Sequence, residues 1–256
     1  AGALGGGAFA RAMAAVSVLA APSLFGITGF YSMNAFDFVF WLLAFHLLAR
    51  LSRIEAGPNS RAWPLLGLVL GLGLLNKISV LVLGAGLAAA LVLTPLRSHL
   101  KSRGPWIAAA LALVLFAPHV LWQAQNNWPT VEFVGNASRY KNVNLGPLGF
   151  FLAQVRDFGP LNALVWISGL IWLALSARAR PYRGLAIAFA VAFLAFMNGK
   201  AYYLAPAMLA PLSAGAVFLE GLLGRPRLAW FRTPAFILLL ISAAVPLPIV
   251  VPLLPP

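Results

Sequence analysis

The stretch "WPLLGLVLGLGLLNKISVLVLGAGLAAALVLT", Trp63 to Thr94, decides the fold. Two apolar runs, Trp63–Leu75 and Ile78–Thr94, meet at a single polar joint, Asn76 and Lys77. A chain in water has nowhere to hide both runs. In a bilayer each reads as a helix, because a segment facing hydrocarbon must satisfy its own backbone hydrogen bonds.

The rest of the chain repeats this pattern. Of 256 residues, 62% are hydrophobic and only 9% charged, with a mean hydropathy of +0.91; soluble domains are nearer half apolar and a quarter charged. Further apolar runs fall at about Phe9–Thr28, Phe36–Ala49, Trp106–Leu121, Leu161–Ser176, Leu185–Met197, Tyr203–Leu222 and Pro234–Leu254. No ten-residue alternation marks a barrel. The expectation is an all-α polytopic transmembrane bundle of about nine helices forming one domain over 1–256, several of them short of the roughly 20 residues a lone span needs.

Charge sets the orientation. The net charge of +13 would suggest nucleic acid in a soluble protein, but here the basic residues cluster in short connections between apolar runs, so no nucleic-acid partner is expected. Arg50, Arg53 and Arg61 share one connection, Arg97, Lys101 and Arg103 another, Arg178, Arg180 and Arg183 a third, and Arg225, Arg227 and Arg232 a fourth. These are every second connection, which places them, with Arg11, in the cytoplasm. Lys77, Arg139, Lys141, Arg156 and Lys200 then fall on the far side, where topology does not account for them.

Chemistry-bearing motifs are sparse. There is no cysteine, and His46, His99 and His119 have no ligand spacing, so no metal site is expected. Gly199 and Lys200 do not complete a phosphate loop, since Leu194 and Ala201 stand where glycine and Ser/Thr belong. Gly67 and Gly71 have the GxxxG spacing of close helix packing. The long connection Gln123–Pro160 ends in "LGFFLAQVRDF", whose mixed character suggests an interfacial helix.

The remaining polar residues gather at the outer ends of helices: Asn34 and Asp37, Asn76 and Lys77, the "WQAQNNWPTVEF" loop with Trp128 and Glu132, and Lys200, Tyr202 and Tyr203. Each has a bland reading, Lys77 as a turn residue, Lys200 as a snorkelling lysine and the aromatics as an interfacial belt. Asp37 reads most simply as an acid favoured by a helix N-terminus. Their convergence on one membrane face points to a site for an anionic ligand.

The segments "YSMNAFDFVFW", "LGLVLGLGLLNKISVLVL", "FAPHVLWQAQNNWPTVEF" and "NGKAYYLAPAMLAPLSAGAV" resemble, in this order, the bacterial family 39 glycosyltransferases, relatives of the dolichyl-phosphate-mannose protein mannosyltransferases and of the lipid A aminoarabinose transferase. The resemblance implies the GT-C membrane fold in the bacterial inner membrane. It also implies transfer of a sugar from a polyprenyl-phosphate donor to a glycolipid, glycan or protein acceptor on the extracytoplasmic face. Lys77 matches the lysine after the family's glycine-leucine run, and Lys200, Tyr202 and Tyr203 match its lysine-tyrosine-tyrosine motif, as contacts for the donor phosphate. Asn34 and Asp37 match its polar pair at a helix start.

No cofactor is implied beyond the lipid-linked donor. The family's catalytic acid lies in a first extracytoplasmic loop after a first helix, and the five acids here, at 37, 55, 132, 157 and 220, include no Asp-Glu pair. The resemblance therefore implies a chain lacking the family's first helix and loop and inactive alone, with Asp37 the nearest substitute base. A different reading of the same polar end is a transporter or flippase that binds an anionic lipid without chemistry, which would be expected to show related halves and interrupted midplane helices.

Overall fold

In a computed structural model that describes residues 1–53, 60–142 and 144–244, each of the nine apolar runs is mainly helical over its described residues. In chain order the α-helices are α1 (Ala8–Leu19), α2 (Pro22–Thr28), α3 (Met33–Leu51), α4 (Ala62–Asn76), α5 (Val80–Leu93), α6 (Gly104–Gln125), α7 (Pro129–Tyr140), α8 (Gly146–Phe158), α9 (Pro160–Leu175), α10 (Arg183–Phe196), α11 (Leu209–Leu223) and α12 (Arg232–Ala244). Longer 3-10 segments cover Pro95–Lys101 and Ala201–Met208. There is no strand among the described residues, and the last apolar run passes beyond them after Ala244.

Helical content follows the sequence, and length and apolar composition set a lower count of candidate crossings. Three helices are long and apolar enough to cross a membrane alone, Met33–Leu51, Gly104–Gln125 and Ala201–Leu223, and bent pairs raise the total to six. By that measure fewer than the expected nine qualify, because α4, α5, α9 and α10 hold only 14 to 16 residues. At 1.5 Å per residue they reach roughly 21 to 24 Å, short of a hydrocarbon core of about 30 Å. The first run also breaks, with α1 and α2 meeting at 65° where Pro22 opens α2.

Close helix approach builds the core. α4 lies against α6 so tightly that a Cβ on Gly67 would stand 2.5 Å from the Ala108 carbonyl oxygen. Gly169 of α9 and Gly215 of α11 meet in the same way: a Cβ on Gly215 would fall 1.8 Å from the carbonyl oxygen of Val165. Trp41, Trp166, Phe150 and Phe158 are fully buried between the helices. Leucine, valine and isoleucine cover the outside, among them Leu113 and Val114 on α6, as a hydrocarbon solvent requires.

Hydrogen bonds between distant segments gather the chain into two ends. At one, the carboxylate of Glu220, on α11, accepts from the N–H groups of Gly7 (2.7 Å) and Ala10 (3.1 Å) and so caps α1; Arg53 donates there to the Ala3 carbonyl. At the other, Asn76 donates to the Met33 carbonyl (2.9 Å), Gln154 to that of Ala201 (3.2 Å), and Ser23 to that of Asp157 (2.6 Å). The alternation of basic connections expects the first end inside. Because the chain has no cysteine, single cysteines at Arg53, Arg103, Arg180 and Arg227 should resist a membrane-impermeant thiol reagent in intact cells. Those at Asn127 and Lys141 should react, and labelling at Arg53 from outside would overturn the orientation.

The long connection departs from its expected form. "LGFFLAQVRDF" does fold as a helix, α8, but it buries Phe150, Ala153, Gln154 and Phe158 against α9, α2 and the 201–208 segment. The stretch read as a loop is instead the end of α6, a reversal, and α7, which buries no residue. Two successive left-handed residues, Asn127 (φ 60°) and Trp128 (φ 57°), turn the chain ahead of Pro129. Such backbone costs of order 1 to 3 kcal/mol per residue. The buried Gln123 side chain holds the reversal by accepting from the Thr130 N–H (3.1 Å) and donating to its hydroxyl.

Candidate functional site

Asp37 is the hub of the polar end. It is the fifth residue of α3, beyond reach of the unpaired N–H groups of the helix start, where Ser32 caps Asn34 instead. The helix-dipole reading of Asp37 is therefore replaced by a different one. Its side chain is wholly buried, Oδ1 accepts from the Trp41 indole N–H (3.1 Å), and Oδ2 accepts from Ser79 Oγ (2.8 Å) and Lys77 Nζ (3.1 Å). A buried carboxylate requires such partners.

These bonds fix Lys77, the residue that ends α4 in an extended conformation. Its ammonium can spend one donor on Asp37 and keep two, since its side chain is 13% exposed. Asn76, one residue earlier, bonds the start of α3, so Asn76 and Lys77 together clamp α3 to the α4–α5 joint. Asn34 is half-buried one turn before Asp37. Sequence reading missed Trp41 and Ser79; Trp41 lies four residues from Asp37, one helical turn, and that spacing was the available signal.

The second group is on the 201–208 segment. Lys200 Nζ lies 5.9 Å from the Tyr202 ring centroid, and the rings of Tyr202 and Tyr203 meet edge to face at 4.8 Å. Lys200 is half-buried and, among the described residues, makes no ion pair. Gln154 of α8 holds the Ala201 carbonyl, and the segment packs against α2, α3, α8 and α10. α3 therefore touches both groups, although no hydrogen bond joins them among the described residues.

Trp128 and Glu132 stand apart. Both are exposed on the α6–α7 reversal and on α7, and no hydrogen bond among the described residues ties their side chains to either group. Nor, among those residues, do three or more His, Asp or Glu side chains gather where a metal ion would be held.

This polar end thus carries two lysines on a bundle of apolar helices, Lys77 paired with Asp37 and Lys200 without an ion pair among the described residues. Residues 6–122 match the dolichyl-phosphate-mannose-protein mannosyltransferase family. The match supports the family read from the sequence, and with it a membrane glycosyltransferase of the GT-C type. No curated protein and no solved structure matches the chain. The mannosyltransferase match takes in Asn34, Asp37, Asn76 and Lys77 and ends at Trp122. Trp128, Glu132 and the Lys200–Tyr203 group lie beyond it.

Proposed function

We propose that this chain belongs to an enzyme that moves a sugar from a polyprenyl-phosphate donor to an acceptor at the polar, extracytoplasmic end of the bundle. The reading is carried by Lys200, a half-buried cation without an ion-pair partner among the described residues, beside two tyrosines. In such a transfer the phosphate is the leaving group. Donors aimed at it stabilise the charge that develops on its oxygens, and Lys200, Lys77 and a hydroxyl of Tyr202 or Tyr203 supply them. In this reading Asp37 is the anchor that aims Lys77 and not the base, a role favoured by its burial and by the partners on both its oxygens.

A charge-assisted contact contributes roughly 1.5 to 3 kcal/mol. Lys200→Gln in the full-length enzyme should therefore weaken donor use about tenfold to a hundredfold, with Lys200→Arg retaining part. Donor titrations on monodisperse protein decide it, and unchanged kinetics in Lys200→Gln would end the proposal. Lys77→Gln is informative only in an Asp37→Asn background, since alone it strands a buried carboxylate.

A further inference from the structure

At the basic end, where Pro95–Lys101 turns into α6, the surface holds a hollow of about 480 Å³. The exposed Lys101 and Arg103 line its polar rim side, and Trp106, Ile107 and Ala110 its apolar side. The turn is held firmly. The Trp106 indole N–H donates to the Leu100 carbonyl (3.1 Å), and Gly104 lies so close to the Trp63 ring that an added Cβ would stand 2.2 Å from it. Trp106 is nevertheless 62% exposed.

From this hollow an exposed apolar stripe runs down α6 through Trp106, Ala110, Leu113, Val114 and Ala117 to Leu121. The sixteen residues from Trp106 to Leu121 make a strip of roughly 22 Å. α4 packs on the opposite side of α6, against Ala108, Leu111, Ala112 and Leu115, and the 95–101 segment meets α6 only near its start. Neither cation has an ion-pair partner among the described residues. The polar rim asks for an anion, and the continuous strip below it asks for a hydrocarbon chain attached to that anion.

We propose that this hollow is a binding site for an anionic phospholipid, its phosphate between Lys101 and Arg103, its glycerol against Trp106 and an acyl chain along the α6 stripe. A tryptophan between charged rim and apolar strip suits the interface between headgroup and chain. A free phosphate would use the rim and leave the strip bare. The site lies at the opposite end from Lys77 and Lys200 and does not depend on sugar transfer.

The test uses the full chain in bilayers in which either phosphatidylglycerol or phosphatidylcholine, at the same mole fraction, carries brominated acyl chains that quench indole fluorescence. The difference between wild type and Trp106→Phe isolates the Trp106 signal from the other seven tryptophans. Two basic residues near the surface should enrich the anionic lipid about tenfold to thirtyfold at the site, so brominated phosphatidylglycerol should quench Trp106 at a correspondingly lower mole fraction. Lys101→Gln and Arg103→Gln should each lose part of that preference and the double variant nearly all of it, with quenching by brominated phosphatidylcholine unchanged. Lys141→Gln, at the other end, should keep it. Equal quenching by the two lipids in wild type, or a preference that the double variant keeps undiminished, overturns the proposal.

Discussion

Gly215→Ala should disrupt the bundle, while Gly221→Ala, two turns further along α11, should leave it intact or slightly firmer. A Cβ at 215 would meet the backbone oxygen of Val165 at 1.8 Å, and one at 169 that of Pro211 at 2.0 Å, whereas one at 221 meets nothing within 4 Å. The opposing atoms are carbonyls of a packed helix, which cannot rotate away as a side-chain tip would. α9 and α11 must separate, and a contact that runs through both helices loses its dispersion energy together. A cost of about 3 kcal/mol or more is expected at 215, against a gain of up to about 1 kcal/mol at 221, where alanine replaces glycine in an exposed helix. Melting curves of the two purified variants measure the contrast. Midpoints within a few degrees of each other would show that α9 and α11 do not approach this closely.

The second large effect concerns the buried ion pair. Lys77→Ala leaves the carboxylate of Asp37, 1% exposed, with two neutral donors and no cation. Breaking a buried pair from one side costs about 3 to 5 kcal/mol. Asp37→Ala should cost a similar amount, because it strands the Trp41 N–H and the Ser79 hydroxyl as well as the ammonium. The double variant Asp37→Asn, Lys77→Gln removes both charges and should be far closer to wild type than the sum of the single changes. Thermal stabilities of the four proteins complete the cycle; additive losses would mean that the two residues do not share a bond in the folded protein.

These two effects also mark what the sequence could and could not disclose. The helices were legible because apolar runs this long have one way to satisfy their backbone in a membrane, and the spacing of Gly67 and Gly71 was enough to anticipate close packing. The Gly169–Gly215 contact was not, since it joins residues with no local relation. Asp37 shows the same limit: its nearest partner, Trp41, is one helical turn away, but Lys77 and Ser79 come from about forty residues downstream. Lys200 and the tyrosines were visible as a local cluster with a charge out of place. α8 was legible as a helix but not its burial, and α7 read as loop, because composition alone does not say which mixed segment finds a groove in the bundle and which folds on its surface.

The carboxylate of Glu220 on the first turn of α1 has a bearing on how the protein is made. Its bond to Gly7 joins residues 213 positions apart. α1 packs chiefly on α11 and α12, so it leaves the ribosome long before its neighbours exist. At about 5 to 20 residues per second, α1 waits roughly 10 to 40 s in the membrane for the side chain that caps it. Through that interval it is a helix without its permanent company, open to capture by an insertase or by another nascent chain. This contact is thus a late closure, in which α1 meets a helix made some 200 residues after it.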